Sequence, residues 1–241
     1  MIDLVSSAAT LKETLGLNYE PIAVKFLEKP TNLHGFDLPG GHRYCQVLMG
    51  ARKGAKLLLA KDNISCPAAA WALGFDNPPL RLSSGEMPAA MGIFGSDVAA
   101  KNTLATMPRL RMGMYNMVAV CPLSIAPYTP DVVVIESLPE HLMWVALANV
   151  YNSGGRMQFS TSILQATCVD VTIVPFLTQR LNASLGCYGC REATDMNENE
   201  CVLGFPVRDL EIIIGSLKKL GERAIPRVRK KPIYGALLSR E

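Results

Sequence analysis

The stretch Asp131-Val-Val-Val-Ile-Glu136 determines which fold class the sequence predicts. Four consecutive β-branched apolar residues between two acidic ones are typical of a buried strand. Pro139 then opens a helix that continues through Val150, and Gly154 ends it. A short strand is predicted over residues 156–160. Strands that alternate with helices in this way predict a mixed α/β protein built from layered units.

The first half of the chain follows the same order. Residues 21–26, Pro-Ile-Ala-Val-Lys-Phe, predict a buried strand, residues 43–52 a helix, and residues 56–60 a short strand. Cys66 then lies at the beginning of a helix, and Cys168 lies at the beginning of a helix at the corresponding point of the second half. The repeated order predicts an internal duplication in which these two cysteines are equivalent.

This duplication sets the predicted domain organisation. An N-terminal helix occupies residues 1–17, a first α/β repeat residues 18–127, and a second repeat with a basic tail residues 128–241. The second repeat is expected to close on residues 234–238, in the place that residues 118–122 take in the first. The two repeats would form one compact domain around a pseudo-twofold axis, with the cysteine helices near that axis. The alternative is that two α/β halves share one order by chance.

Composition and missing motifs argue against several classes of protein. Of the 241 residues, 49% are hydrophobic and 19% are charged, so the chain can bury a large core and disorder is not expected. No apolar run reaches the roughly eighteen residues of a membrane helix, and no basic leader precedes an apolar segment, so a cytoplasmic protein without a membrane partner is expected. The motifs of P-loop ATPases, Rossmann dinucleotide enzymes, zincins and α/β-hydrolases are all missing.

Positive charge is concentrated at the end of the chain. Residues 218–241 hold eight Lys or Arg and two acidic residues, a net charge of +6, whereas the whole chain has a net charge of only +3. The densest part contains Arg227, Arg229, Lys230 and Lys231. A solvated surface is the favoured interpretation, and binding of a partner or a nucleic acid through this tail ranks third among the candidate functions. The rest of the chain is slightly acidic, so a nucleic-acid partner is not expected.

Gly186-Cys187-Tyr-Gly-Cys190-Arg191 is the most informative local motif in the chain. Two cysteines three residues apart can place both sulfurs on one metal ion, and Arg191 could balance the charge of the thiolates. A thioredoxin-like redox pair would need a strand before Cys187. Residues 181–186 do not have the pattern of a good strand, so the sequence disfavours that arrangement. Two free thiols in a glycine-rich turn are the structural alternative.

The seven cysteines are expected to be free thiols, metal ligands or redox groups, because disulfides are rare in the cytoplasm. A cysteine at a helix N-terminus has a lowered thiol pKa, since the helix dipole favours the thiolate. Five cysteines could together supply the four thiolates of an iron–sulfur cluster or a zinc site, for electron transfer or other redox chemistry. These candidate ligands are Cys45, Cys66, Cys168, Cys187 and Cys190. For each of them a plain core position is the alternative, and Cys121 is assigned to the core outright.

A second candidate function uses no metal. Lys25, Arg43, Arg52 and Arg191 would bind a small anionic metabolite in the cleft between the two repeats, with the cysteines in the core. Lys25 stands out because it interrupts an otherwise apolar strand, although a lysine that snorkels to a strand edge would look the same. The sequence leaves open whether the protein is an enzyme, and whether it has a redox partner or forms a homo-oligomer.

Five short motifs in a fixed order resemble those of a known family. They are Pro21-Ile-Ala-Val-Lys-Phe26, Tyr44-Cys45 with Ala51-Arg52-Lys-Gly54, Ser65-Cys66 with Leu73-Gly74, Pro130-Asp-Val-Val133 and Ser184-Leu-Gly-Cys187-Tyr-Gly-Cys-Arg191. Over about residues 18–215 this order resembles domain-of-unknown-function family 169, which occurs mainly in archaea and anaerobic bacteria. The family's activity is unknown, so the resemblance implies an architecture and a set of positions, with Cys45, Cys66 and Cys187 in the family pattern. An anaerobic background favours an oxygen-sensitive iron–sulfur site.

Overall fold

A single sheet of six strands organises the part of the chain that the computed structural model describes, residues 2–162 and 164–238. Met1, Ile163 and residues 239–241, which fall within the predicted ranges 1–17 and 128–241, lie outside the described residues. The strands are β1 (Ile22–Leu27), β2 (Leu57–Ala60), β3 (Met117–Pro122), β4 (Val132–Ser137), β5 (Asn182–Ser184) and β6 (Cys201–Pro206). Their order is β2-β3-β1-β4-β6-β5, and every neighbouring pair is antiparallel.

The helices are mostly short and lie on both faces of the sheet. They are α1 (Leu4–Leu15), α2 (Tyr44–Arg52), α3 (Pro67–Ala72), α4 (Leu80–Ser83), α5 (Glu86–Ala90), α6 (Asp97–Ala105), α7 (Pro139–Val150), α8 (Val174–Thr178), α9 (Tyr188–Ala193), α10 (Leu210–Glu222), α11 (Ala224–Lys230) and α12 (Pro232–Leu238). A π-helix over Ala166–Ile173 leads directly into α8. Within the described ranges, no helix combines the length and the apolar character that crossing a membrane requires.

The two central strands, β1 and β4, carry apolar side chains on both of their faces. β1 and β4 pair in the register Val24↔Val132 and Ile22↔Val134, and helices cover both faces of the sheet at this point. Alternate side chains therefore enter two different cores, which removes the need for a polar face. One core lies under α2, α3, α9 and the π-helix, and the other lies under α1, α7 and α10.

Gly204 allows the π-helix to lie directly on the sheet. A Cβ atom at this position of β6 would come within 1.8 Å of the carbonyl oxygen of Val171. Asn182 of β5 donates to the carbonyl of Asp170 at 2.6 Å, and the hydroxyls of Tyr44 and Thr172 are 3.0 Å apart. The close approach and these polar contacts fix the π-helix between β5, β6 and α2, which positions the segment that enters it.

The structure confirms the predicted mixed α/β fold, but it does not confirm the duplication. Residues 234–238 lie in α12, where a strand matching residues 118–122 was expected. Residues 156–160 form no strand. The main-chain N–H and C=O of Ser160 form hydrogen bonds with the side chain of Asn182, at 2.8 and 2.7 Å. These bonds take the place of the strand pairing that the sequence predicted.

The strand order divides the sheet between the two halves of the chain. The first three strands occupy one side of the sheet and the last three the other, with β2 and β5 at the edges. Each edge strand is followed by a helix capped by a cysteine, Cys66 before α3 and Cys187 before α9. Cys168 lies inside the π-helix, which begins two residues earlier at Ala166. By its position after an edge strand, Cys66 therefore corresponds to Cys187, and the predicted equivalence of Cys66 and Cys168 is not confirmed.

Candidate functional site: a cysteine-lined pocket

The five cysteines predicted as ligands line one pocket of about 320 Å³ on the α2 side of the sheet. The pocket is bounded by the N-terminal ends of α2, α3 and α9 and by the segment that enters the π-helix. We call it the cysteine pocket; its thiols belong to Cys45, Cys66, Cys168, Cys187 and Cys190. All five are free, and the fold brings together residues that are widely spaced in the sequence. Cys121 and Cys201 do not line it.

Local structure explains how three of these thiols reach the pocket. Cys45 is the second residue of α2, on the buried face of that helix. Cys66 caps α3, and Pro67 follows at the first helical position, which suits a residue without a free N–H. Cys168 is buried in the π-helix. All three therefore project from rigid elements of the layer that covers the sheet.

Cys187 and Cys190 form the most tightly organised part of the pocket. The backbone N–H of Cys187 donates to Sγ of Cys190 at 3.0 Å, and the backbone N–H of Cys190 donates to Sγ of Cys187 at 3.4 Å. The thiol of Cys190 also donates to the carbonyl of Cys187 at 3.2 Å. The two sulfurs therefore face each other across the first turn of α9. We refer to them as the Cys187–Cys190 dithiol.

The hydrogen bonds of this dithiol shift the pKa values of its two thiols in opposite directions. The hydrogen bond from the Cys190 side chain lowers the pKa of Cys187, and the backbone N–H groups of Ala166 and Cys190 lower it further against the effect of burial. The same hydrogen bond, together with burial, raises the pKa of Cys190. The two opposite shifts favour the thiolate at Cys187 over the thiolate at Cys190.

The remaining buried thiols of the pocket are protonated. Burial raises the pKa of Cys45 to about 12, and the nearby Cys187 and Cys66 raise it in the same direction. Burial also raises the pKa of Cys168, again with contributions from the neighbouring cysteines. Because each additional thiolate would repel the first in an apolar setting, the pocket stabilises one anion at Cys187.

The strand that the sequence did not reveal is β5. It covers Asn182–Ser184 and pairs with β6, so Cys187 follows a strand and a short turn and begins a helix. This is the arrangement that a redox pair requires, and the expectation that no strand precedes the motif is wrong. A three-residue strand containing asparagine and serine carries almost no sequence signal. Its ladder to β6 and the buried side chain of Asn182 define it.

Of the four cationic residues proposed to bind an anion, Arg43 lines the cysteine pocket. Its guanidinium pairs with Glu192 at 2.9 Å, and both side chains are partly exposed at the rim. The hydrogen bond to Glu192 raises the pKa of Arg43. The pair leaves the rim without a net charge.

The other three cations lie elsewhere and have partners. Lys25 pairs with Asp131 at 2.7 Å. The Arg52 side chain is only 1% exposed and pairs with Glu136 at 2.9 Å, beneath the ring of Tyr19. Arg191 donates to backbone carbonyls, among them that of Leu185 at 2.7 Å and that of Asn197 at 2.9 Å. The four cations therefore do not form one anion site.

Thiols are suitable ligands for a soft metal ion, but the described side chains are not arranged as a metal site. Thiolates are the ligands that zinc and iron–sulfur clusters prefer. In residues 2–162 and 164–238, however, no three side chains of Cys, His, Asp or Glu come close enough to share one ion. Metal binding would therefore require the walls of the pocket to move.

Gln165 is a pocket residue that the sequence does not single out. It precedes the π-helix, is 3% exposed and lines the cysteine pocket. Neither its Oε1 nor its Nε2 has a hydrogen-bond partner among the described residues. A lone glutamine between Leu164 and Ala166 carries no signal in sequence, because its significance depends on what surrounds it in space.

Comparisons with known proteins place this architecture in a family. The sequence profile of DUF169, described as "Uncharacterised ArCR", matches residues 10–216. The chain is 29% identical over 220 residues to "Uncharacterized protein MJ0308" of Methanocaldococcus jannaschii, covering 90% of this chain and 94% of that protein. No solved structure matches the chain. A match over most of the sequence confirms the resemblance seen in its motifs, and the chain belongs to the DUF169 family.

Proposed function

We propose that the protein is a thiol–disulfide redox protein whose reactive pair is the Cys187–Cys190 dithiol. The observation that carries this proposal is the reciprocal bonding of the two residues, which favours a thiolate on one sulfur and a proton on the other. The thiolate is the nucleophile in thiol–disulfide exchange, and a neighbouring thiol resolves the intermediate. Cys187 lies next to the pocket, so it is the attacking residue.

The reaction proceeds by two exchanges. The Cys187 thiolate attacks one sulfur of a small disulfide, which forms a mixed disulfide and releases the other sulfur as a thiolate. Cys190 gives its proton to that leaving thiolate and attacks Sγ of Cys187, which expels the second substrate thiolate. Two protein thiols become one disulfide, and the substrate disulfide becomes one thiol and one thiolate, so two electrons are transferred.

The pocket favours a small substrate. Its volume is about 320 Å³, and Cys187 is buried at its wall, so a disulfide on a folded protein could not reach the sulfur without rearrangement. We also propose a cytoplasmic location. The seven free cysteines, including two that lie outside the pocket, suit a reducing compartment.

The test is to trap the intermediate. Fully reduced protein is incubated with 2-hydroxyethyl disulfide, a small uncharged disulfide, quenched with acid, and examined by peptide mass spectrometry. We expect a disulfide between Cys187 and Cys190 in the wild-type chain and a mercaptoethanol adduct on Cys187 in the Cys190→Ser variant. Cys187→Ser should form neither product.

Cys201→Ser is the matched control, because Cys201 is half-buried at the start of β6 and does not line the pocket. It should react as the wild type does. A wild-type protein that forms no Cys187–Cys190 disulfide at any ratio of mercaptoethanol to 2-hydroxyethyl disulfide would contradict the proposal. So would an adduct that forms first on Cys45, Cys66 or Cys168.

A thiolate-bound metal, either an iron–sulfur cluster or zinc, is a second candidate for electron transfer. The observation in its favour is the convergence of five thiols on one pocket. Metal and acid-labile sulfide are measured on protein purified without oxygen, for the wild type and for Cys66→Ser and Cys201→Ser. A metal site predicts bound metal that Cys66→Ser loses and Cys201→Ser keeps. Equal metal content in the three proteins would exclude a site in this pocket.

A further inference from the structure

The buried amide of Gln165 is without a hydrogen bond on either side. Its side chain is at the wall of the cysteine pocket, and both Oε1 and Nε2 lack a partner within the described residues. The backbone carbonyl of Gln165 accepts from the N–H groups of Val169 and Asp170, at 3.0 and 3.1 Å, so the residue is anchored at the start of the π-helix. Buried polar groups are nearly always paired, and an unpaired amide lowers stability. A group that enters the pocket and pairs with it would remove this penalty.

The rest of the pocket wall indicates what kind of molecule could carry such a group. Much of the wall is built from apolar side chains, including those of Ala69, Leu82, Met87, Pro88, Ile93 and Leu164. At the rim, Arg43 and Glu192 neutralise each other. A volume of about 320 Å³ lies at the small end of ligand sites, which range over about 300–1,000 Å³. The pocket therefore suits an uncharged molecule of roughly one ring.

We propose that the cysteine pocket binds a small, neutral, planar ligand that carries a carboxamide or lactam edge, and that Gln165 is its recognition residue. A primary amide has one acceptor and one donor side by side. Both amide atoms are covered by the wall, so the side chain would turn toward the cavity; Oε1 would then accept from the N–H of the ligand, and Nε2 would donate to its carbonyl oxygen. The ring would occupy the apolar part of the pocket. The inference does not depend on the redox role of Cys187, because no covalent step is involved.

The test compares three probes of nearly equal shape by isothermal titration calorimetry. Benzamide offers a donor and an acceptor, acetophenone offers an acceptor alone, and benzoate offers acceptors with a negative charge. We expect benzamide to bind about tenfold more tightly than acetophenone, since a missing partner leaves a buried polar group unpaired. Benzoate should bind more weakly than both. No binding of benzamide, or equal affinities for benzamide and acetophenone, would overturn the proposal.

Gln165→Leu removes the amide and keeps the volume. We expect this variant to bind benzamide and acetophenone equally. Because the amide has no partner among the described residues, the variant should also unfold at the same temperature as the wild type or a higher one. A lower unfolding temperature would show that Gln165 is satisfied by the protein itself, and the proposal would fail.

Gln46→Leu is the matched control. Gln46 is a half-buried glutamine of α2 whose Oε1 accepts from the N–H of Arg43 at 2.9 Å and whose Nε2 donates to the carbonyl of Ala193 at 3.1 Å. Its replacement should lower the unfolding temperature and preserve the preference for benzamide. Disulfide exchange and benzamide binding are measured separately on the wild type, so failure of one with the other intact shows which of the two proposals has failed.

Discussion

Cys187 and Cys190 each accept a hydrogen bond from the backbone N–H of the other, at 3.4 and 3.0 Å. This reciprocal contact is the feature that distinguishes the pair from the other thiols of the cysteine pocket. It restricts the first turn of α9 and holds the Cys190 thiol beside Cys187. The chemistry of the pocket therefore depends on the acidity of one sulfur and on the proton of the other.

The first prediction concerns the pH dependence of Cys187 alkylation. The hydrogen bond from the Cys190 side chain is the largest cause of the lowered pKa of Cys187, so its removal should move that pKa upward. In Cys190→Ala, the rate of iodoacetamide labelling of Cys187 at pH 7 should fall several-fold, because less thiolate is present. The rate is measured by peptide mass spectrometry from pH 5 to pH 10.

Cys190→Ser serves as the control for this measurement, because a hydroxyl keeps a hydrogen-bond donor in place. Its midpoint for labelling of Cys187 should lie below that of Cys190→Ala. If Cys190→Ala and the wild type share one pH profile, the side chain of Cys190 does not set the acidity of Cys187.

The second prediction tests the close approach of the π-helix to the sheet. In Gly204→Ala the new methyl group would meet the carbonyl of Val171 at 1.8 Å, and this oxygen belongs to a backbone that cannot move aside easily. We expect the free energy of unfolding to fall by about 3 kcal/mol, the upper range for overpacking. Urea denaturation followed by circular dichroism gives the value.

Gly215→Ala is the opposite case on the other side of the sheet. Gly215 lies in the interior of α10, is exposed, and has open space where its Cβ would stand. The helix preference for alanine should raise the stability by about 0.8 kcal/mol. Equal effects of the two substitutions would mean that the contact with Val171 does not limit the position of the π-helix.

The sequence predicts the centre of the fold and misses its periphery for a physical reason. The apolar runs of β1 and β4 and the helix α7 are recognisable because each is long enough to carry its own pattern. β5 has three residues, and its place depends on the ladder to β6 and on the side chain of Asn182. The π-helix likewise depends on a glycine in β6, a contact that no local pattern contains.

The residues of the candidate site are likewise only partly predictable from the sequence. Its five cysteines could be chosen from the sequence because thiolates are the side chains that soft metals and thiol redox chemistry use. Their meeting at one pocket follows from the strand order, which a local pattern does not determine. Gln165 could not be chosen, since what makes it distinctive is the absence of partners among the described residues around it. Arg52 was chosen as a ligand for an anion, but the fold buries it against acidic side chains.

The third prediction concerns Asn182, which links two segments near the pocket. Its side chain bonds both main-chain groups of Ser160, at 2.8 and 2.7 Å, and the carbonyl of Asp170 at 2.6 Å. Asn182→Ala leaves the buried carbonyl of Asp170 without this partner and frees the exposed Ser160 segment, so we expect a loss of about 1–3 kcal/mol in the free energy of unfolding. Gln158→Ala, an exposed change in the same loop, should alter it by less than about 0.5 kcal/mol. Similar losses in both would contradict a specific role for Asn182.

The last prediction uses the buried ion cluster around Arg52. Glu136 is 5% exposed, and burial raises its pKa to about 8 even though Arg52 acts to lower it. An acid whose folded-state pKa lies above its unfolded value of 4.5 binds its proton more tightly when folded. Its contribution to stability is therefore complete below about pH 4.5 and is lost as the pH rises through the folded value near 8.

Glu136→Gln mimics the protonated acid at every pH. The difference in free energy of unfolding, variant minus wild type, should therefore increase from pH 5 to pH 8 with a slope approaching about 1.4 kcal/mol per pH unit, and level off above pH 8. Working with the difference cancels the titration of other groups such as His141, whose pKa is lowered by burial. Glu140→Gln is the control, since hydrogen bonding from Trp144 lowers the pKa of Glu140 and its charge is constant in this range. A difference for Glu136→Gln that does not change between pH 5 and pH 8 would show that Glu136 is ionised throughout, as the partner of Arg52.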